Sequence, residues 1–269
     1  ANENHRRLNG NPTKVVGTIT RSPVATGADL VAYSGLDPSN YLEQPYNPDL
    51  DFGTGDFCVM GWAQGGGASG NKAIVMRQDD GVQGNYGDKP SWRIFQSSGS
   101  LRVVGSYGFD INGNTIPEGV WAFFTFLRRG TDIELWQDGQ LMGTDVVGEA
   151  DSFSNDAAVL RFGTVRYQGN LADTGIPMAL IRVSATAPTA EQIKKIYNDE
   201  KFLFQENAQA TLYGSSDAVI ALAHDPNTDL LHVGTSDGRS VFQGLRRVSN
   251  TTTPVTTAIS AIDGLVVEQ

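Results

Sequence analysis

The chain has 269 residues, of which 39% are hydrophobic and only 19% charged, with 31 glycines and a formal net charge of −10. That length suits one large domain with an appendage. The acidic balance argues against a nucleic-acid partner, whose phosphates are held by clustered Lys and Arg, and against an anionic membrane surface. A single cysteine, Cys58, excludes an intrachain disulfide and a cysteine-based zinc cluster.

Residues 1–35 are polar and turn-rich, with a short β-like piece at Lys14 to Ile19, and read as an arm or lead-in strand whose order depends on a partner. The opening ANENHRRLNG lacks the apolar centre of a signal peptide. No stretch reaches the ~18 to 20 consecutive apolar residues of a membrane-spanning helix. From Asn40 onward, short β-branched and aromatic runs alternate with Gly, Asn and Asp clusters, the pattern of an all-β domain. The predicted strands are Asn40 to Glu43, Phe57 to Ala63, Lys72 to Arg77, Trp92 to Gln96, Leu101 to Ser106, Val120 to Arg128, Ile133 to Gln137, Ala158 to Phe162 and Met178 to Val183. Cys58, within FCVMGW, reads as a small buried hydrophobe.

In WAFFTFLRRGTDIELWQDGQL, from Trp121 to Leu141, the stretch Arg129 to Asp132 turns one strand back and Asp138-Gly139 predicts a type I′ turn. Alternation sets Ile133 and Leu135 on one face and Glu134 and Trp136 on the other, so Trp136 is expected outside the core or under a covering loop. One helix follows. Thr189-Ala190-Glu191-Gln192 fits a capping box, Ile193, Ile196 and Tyr197 repeat at helical spacing, and the helix should end near Lys201 with Phe202 to Phe204 as an apolar anchor. Beyond Gln205, the runs Ala218 to Ala223, Leu230 to Thr235 and Ser240 to Val248 predict a three-stranded meander. So small a sheet buries little alone. The remaining tail, Thr-rich and then apolar, reads as an extended segment packed against neighbouring chains.

Three stretches carry a family resemblance. NYLEQPYNPDLDFGTGDFCVMGWA resembles the opening of laminin G-like domains, where a polar loop and Gly-rich turn lead into a strand ending in tryptophan. EGVWAFFTFLRRGTDIELWQDGQL resembles that family's tryptophan strand and Asp-Gly hairpin, and LRFGTVRYQGNLADTGIPMALIRVSATAPTAEQIKKIY its closing strands and short terminal helix. From Asn40 to Phe204 the chain thus resembles the concanavalin A-like, laminin G-like class. The resemblance implies an all-β fold: a two-sheet antiparallel jelly-roll sandwich with one short C-terminal helix, followed by the small β meander. The implied division is an N-terminal arm (1–35), a sandwich (36–204) and a C-terminal β meander and oligomerisation tail (205–269). This plan resembles bacteriophage tail fibres and other virion appendages. It implies a place on the virion surface, a cell-surface glycan and other virion proteins as partners, and a homotrimer whose copies cover the meander and multiply weak sites.

Glycan sites pair exposed aromatic rings with polar donors and acceptors, and Trp92, Arg93, Tyr107 and Trp136 are the candidates for that role. Packing is the competing role for each tryptophan. Trp62 and Trp121 stand where the family keeps structural tryptophans and are assigned to packing. Glycoside hydrolases of similar fold carry a Glu-x-Asp-x-x-Glu strand. The nearest string here, Glu149 to Ser154, replaces the third carboxylate with serine inside the loop-like GEADSFSND, so no catalytic residue is assigned and the chain reads as a non-enzyme. Gly65, Gly67 and Gly70 satisfy a bare G-x-G-x-x-G, but the NKAIVMR that follows reads as a strand, which favours a hairpin loop. His5, His224 and His232 do not combine into a zinc set. Calcium is the one cofactor weighed, through Asp49, Asp51 and Asp56. The last two equally suit holding backbone N–H groups around the Gly53-Thr54-Gly55 turn, and no metal ligand is assigned. The expected function is host attachment by non-catalytic carbohydrate binding. The alternatives are a virion protein with a purely structural role and a glycan depolymerase.

Overall fold

The computed structural model describes residues 13–79, 90–167, 170–209, 212, 214, 218–244 and 246–269. The first 12 residues of the expected arm, with His5, lie outside them. The strands run β1 (Lys14–Val16), β2 (Thr20–Pro23), β3 (Val31–Ser34), β4 (Tyr41–Gln44), β5 (Phe57–Gln64), β6 (Asn71–Asp79), β7 (Trp92–Ser97), β8 (Ser100–Gly105), β9 (Asp110–Thr115), β10 (Trp121–Arg129), β11 (Asp132–Gln137), β12 (Gln140–Val146), β13 (Ala158–Phe162), β14 (Val165–Tyr167), β15 (Asn170–Ala172), β16 (Thr174–Gly175) and β17 (Met178–Ser184), followed by helix α1 (Ala190–Glu200).

Two large sheets form a jelly-roll sandwich. The first has the order β1-β4-β13-β6-β7-β8-β9 with β16 beside β6, and the second the order β12-β11-β10-β5-β17-β3-β2. Period-2 alternation sends Phe57 and Val59 of β5, Ile94 of β7, Val103 of β8, Phe124 and Phe126 of β10 and Leu160 of β13 into one core between them. The type I′ turn forms as the sequence demands, with Asp138 at φ 50 and Gly139 at φ 75. Strand β9 escaped the sequence reading because DINGNT is poor in β-formers. It is a sheet-edge strand whose Gly113 lies so close to β8 that an added Cβ would sit 3.2 Å from Leu101 Cβ. The described part of the expected arm is also strand: β1 pairs with β4 and β3 with β17, so backbone ladders within the chain order it.

Helix α1 starts at the expected capping box, with the Gln192 N–H donating to Thr189 Oγ1 at 3.2 Å and the Thr189 N–H to Gln192 Oε1 at 2.8 Å. It covers the outer face of the second sheet, where Tyr197 stacks on Trp62 at 5.8 Å and Trp62 meets Phe123 at 5.4 Å. Strands β5, β10 and β11 are therefore buried on both faces, and Cys58 and Leu127 are buried on the side away from the core. Burial pushes the Cys58 thiol up to about 12, which keeps it protonated and inert.

The chain divides into two compact units, one of residues up to Ser22 with Ala32–Tyr197, the other of Pro23–Val31 with Asn198–Gln269. Residues 23–31 belong with the tail in the second unit. The Asp29 N–H donates to the Ala208 carbonyl at 2.9 Å and the Asn207 N–H to that of Thr26 at 2.8 Å. In the second unit a four-stranded antiparallel sheet, β18 (Ala221–Asp225), β19 (Leu230–Thr235), β20 (Gly238–Gln243) and β21 (Arg246–Thr251), replaces the three-stranded meander. The tail is not extended: it forms a hairpin, β22 (Ile259–Ile262) and β23 (Leu265–Glu268), and Val255 and Ile259 pack on Ala221. Among the described residues no helix is long and apolar enough to cross a membrane.

Candidate functional site

One end of the sandwich is organised by two buried arginines. Arg77 ends the inward face of β6 and Arg128 that of β10, so each sheet contributes one guanidinium, and neither is more than 2% exposed. A buried guanidinium cannot shed its charge and must find acceptors for its N–H groups. Here most of the acceptors come from the 147–157 loop, and Asp51 and Gly130 supply the others. Arg77 donates to the carbonyls of Phe153 at 2.8 Å and Asn155 at 3.2 Å and is ion-paired with Asp51. Arg128 donates to the carbonyls of Asp151 at 2.6 Å and Gly130 at 2.7 Å, and its guanidinium lies 5.5 Å from the centre of the Phe153 ring. Asn155 completes the clamp, giving its backbone N–H to Asp51 Oδ1 at 2.7 Å and its amide to the Pro90 carbonyl at 3.0 Å.

Two tyrosines stand on this clamped end. Tyr46, 38% exposed, donates its hydroxyl to Asp51 Oδ2 at 3.1 Å. Tyr107, 42% exposed, donates to the Ser152 carbonyl at 2.7 Å and sets its ring edge-on to Phe153 at 5.5 Å. Its backbone holds φ 69, a left-handed conformation that costs a bulky residue energy and that the surrounding contacts must impose. Desolvation, foremost, keeps both phenols above their ordinary range, so each is a neutral donor near pH 7. Ser154 and Asp156 are exposed on the same loop. The result is a hydrogen-bonded polar rim carrying two partly open rings.

The four sequence candidates are not brought together. Trp92 is a correction: at 1% exposure it lies in the core, 5.4 Å from Phe126 and 6.3 Å from Phe57, because the inward face of β7 carries the even-numbered residues. Arg93 points to the opposite, outer face of the first sheet, over the Phe95 ring at 4.6 Å. Tyr107 is on the rim. Trp136 lies on the outer face of the second sheet, as alternation requires, but that face is covered, and the ring is 7% exposed with its Nε1–H donated to Glu134 Oε2 at 2.6 Å. It therefore presents no surface to a sugar. Trp62 packs under α1 as expected, whereas Trp121 is only half-buried. Tyr46 and the arginine clamp escaped the sequence reading. Their signal was a charged residue at an inward position ending each of the apolar runs AIVMR and FFTFLR. Of the weighed carboxylates, Asp51 accepts the Asn155 N–H and pairs with Arg77, and Asp56 Oδ1 accepts the Gly130 N–H at 2.8 Å.

The jelly-roll topology is accompanied by a match of residues 37–194 to the laminin G-like family model described as concanavalin A-like lectin/glucanases superfamily. The chain belongs to this superfamily. No curated protein matches it in sequence. Among solved structures, the chain is similar to the binding domain of Paraclostridial Mosquitocidal Protein 1, with 14% identity and a TM-score of 0.55 over 88% of this chain and 62% of that one. It is also similar to domain 4 of AbnA, an extracellular arabinanase from Geobacillus stearothermophilus solved with arabinotriose, with 15% identity and a TM-score of 0.51 over 69% and 88%. A third is the binding domain of botulinum neurotoxin DC solved with rat synaptotagmin II, with 14% identity and a TM-score of 0.53 over 87% and 57%. The chain thus spans less than two thirds of the two toxin domains' length, and at these identities the likeness is one of fold. The superfamily includes lectins and glucanases, which makes the carboxylates of the GEADSFSND string informative. They occupy a loop: Glu149 is exposed, and Asp151 Oδ2 accepts the Gly148 N–H of its own turn at 2.7 Å.

Proposed function

We propose that this chain is a non-catalytic carbohydrate-binding module whose sugar contact is the rim of Tyr46 and Tyr107. The observation that carries the reading is the pair of partly exposed rings at one end of the sandwich, Tyr107 bonded to the loop that the two buried arginines hold and Tyr46 to Asp51, the ion-pair partner of Arg77. A sugar ring presents C–H faces to such rings and hydroxyls to neighbouring polar groups, and a rim already ordered loses little freedom on binding. The similar AbnA domain, solved with arabinotriose, and the toxin binding domains support a binding role for this architecture. We further propose the setting that the whole-chain plan suggests: a phage tail fibre or similar virion surface protein, attached to other virion proteins and trimeric, so that several weak sites meet a host glycan together.

A ¹H–¹⁵N NMR titration with a panel of neutral oligosaccharides tests the reading. Shifts are expected around residues 46, 51, 107 and 152–156, and Tyr107→Ala should weaken the strongest ligand by at least about tenfold, the scale of a lost ring contact. If no saccharide shifts any resonance, the purely structural alternative stands. Release of new reducing ends from a host polysaccharide would establish the depolymerase.

A further inference from the structure

The outer face of the first sheet sets charged side chains among buried apolar ones, Met76, Phe95 and Val104. Cross-strand register aligns Lys14, Glu43, Arg161, Met76, Arg93, Val104 and Asp110 in one row across β1, β4, β13, β6, β7, β8 and β9. Two arginines of this face have hydrogen-bonded carboxylates. Arg161 pairs with Glu43 at 2.9 Å, and Arg102, next to the row, pairs with Asp110 through two donors, its Nε–H reaching Oδ1 at 2.8 Å. Arg93 lies between them over the Phe95 ring, and its Nε–H is buried with no acceptor. Gln78, two residues along β6 from Met76 and therefore diagonal to Arg93 on the same face, is 5% exposed, and its amide Nε2 likewise finds no acceptor. Val165 of β14 packs on Ala73 and Met76 and bounds the face on one side.

Two neighbouring buried donors without acceptors are costly to maintain unless a ligand supplies the missing lone pairs. We propose that this face is a second saccharide subsite, in which Arg93 and Gln78 take the carboxylate of an acidic sugar such as a uronate. The proposal rests on the saccharide-binding reading of the chain and adds to it a ligand class and a place. A carboxylate fits because it is acceptor-only and its oxygens match the planar guanidinium. Asp110 is already engaged by Arg102, and Asp173 senses Arg93 without a hydrogen bond to it, so neither satisfies the Arg93 Nε–H.

The test uses the full chain and two probes that differ in one group, a glucuronate-containing oligosaccharide and its carboxyl-reduced counterpart with glucose at that position. Calorimetry should show the acidic probe binding at least about tenfold more tightly, the scale of a charge-assisted hydrogen bond, and the gap should shrink with added salt. The Arg93 side-chain Nε–H resonance should shift with the acidic probe and not with the reduced one. In Arg93→Gln and Gln78→Leu the two probes should bind alike, with melting temperatures confirming that both variants fold. Equal affinity of the two probes for the wild-type chain, or an unmoved Arg93 resonance, overturns the acidic subsite while leaving neutral saccharide binding at the rim intact. Failure of both probes and of the neutral panel overturns both readings.

Discussion

The four tryptophans lie on strands with similar composition, yet each meets a different environment. Trp92 stacks with Phe57 and Phe126 inside the sandwich, Trp62 is capped by Tyr197, Trp136 is tied to Glu134, and Trp121 opens β10 half-exposed. Family position alone assigns Trp121 to packing and leaves Trp136 free for a ligand, whereas their burial ranks them the other way. Trp136→Ala should cost about 3 to 5 kcal/mol, since it empties a covered site and strips Glu134 of a partner. Trp121→Ala should cost about 1 kcal/mol, the central value for ordinary substitutions. Urea denaturation of the two variants checks the order, and equal losses would mean that the outer face of the second sheet is less closed than its contacts indicate.

Among the elements, the second unit has the clearest chemical vulnerability. His232 of β19 is buried with both ring nitrogens unpartnered, and burial, with nearby Arg239 next, lowers its pKa below the ordinary 6.5. Asp225 of β18 accepts the Gly264 N–H at 2.6 Å and the Asn227 N–H at 3.0 Å, and these bonds, Gly264 foremost, hold its carboxyl at about 2. Both folded-state values lie below the unfolded ones, so ionised Asp225 stabilises this unit at neutral pH, while His232, neutral there, opposes folding only when it must take up a proton. The His232 penalty grows as pH falls below 6.5, and the Asp225 contribution is lost as pH falls from about 4 through about 2. All four tryptophans belong to the first unit. Backbone NMR signals of β18–β21 should therefore weaken between pH 6 and 4.5 while tryptophan fluorescence stays native, and Asp225→Asn should abolish the lower step. Loss of both signals together at one pH would contradict this assignment.

At the scale of the whole molecule, the hairpin β22–β23 covers part of the second unit's sheet, which removes part of the case for partner chains. What remains is the outward apolar set, with Leu222 61%, Ile262 60%, Leu265 73% and Val267 63% exposed. Three copies around a closed axis would bury such residues without open-ended growth. Light scattering of the full chain should therefore report a trimer, and the double variant Leu265→Asp with Val267→Asp a monomer. A wild-type monomer at micromolar concentration removes the trimer from the proposed function.

Strand positions, the Asp138-Gly139 turn and the Thr189 capping box were legible because each depends on side chains within a few residues of one another: alternation, left-handed φ and reciprocal capping bonds are local. Alternation also placed Trp136 on the correct face. It could not show what lies across that face, because α1 is supplied by residues more than 50 positions later. The rim was hidden for the same reason. GEADSFSND reads as a plain surface loop until Arg77, 76 residues before Phe153, and Arg128, 23 residues before Asp151, reach its carbonyls. A sequence assigns each residue to a face of its strand. Only the tertiary fold decides whether a helix, a clamped loop or solvent meets that face, because the covering groups come from distant segments and the cost of burying a polar or charged side chain depends on the acceptors they bring.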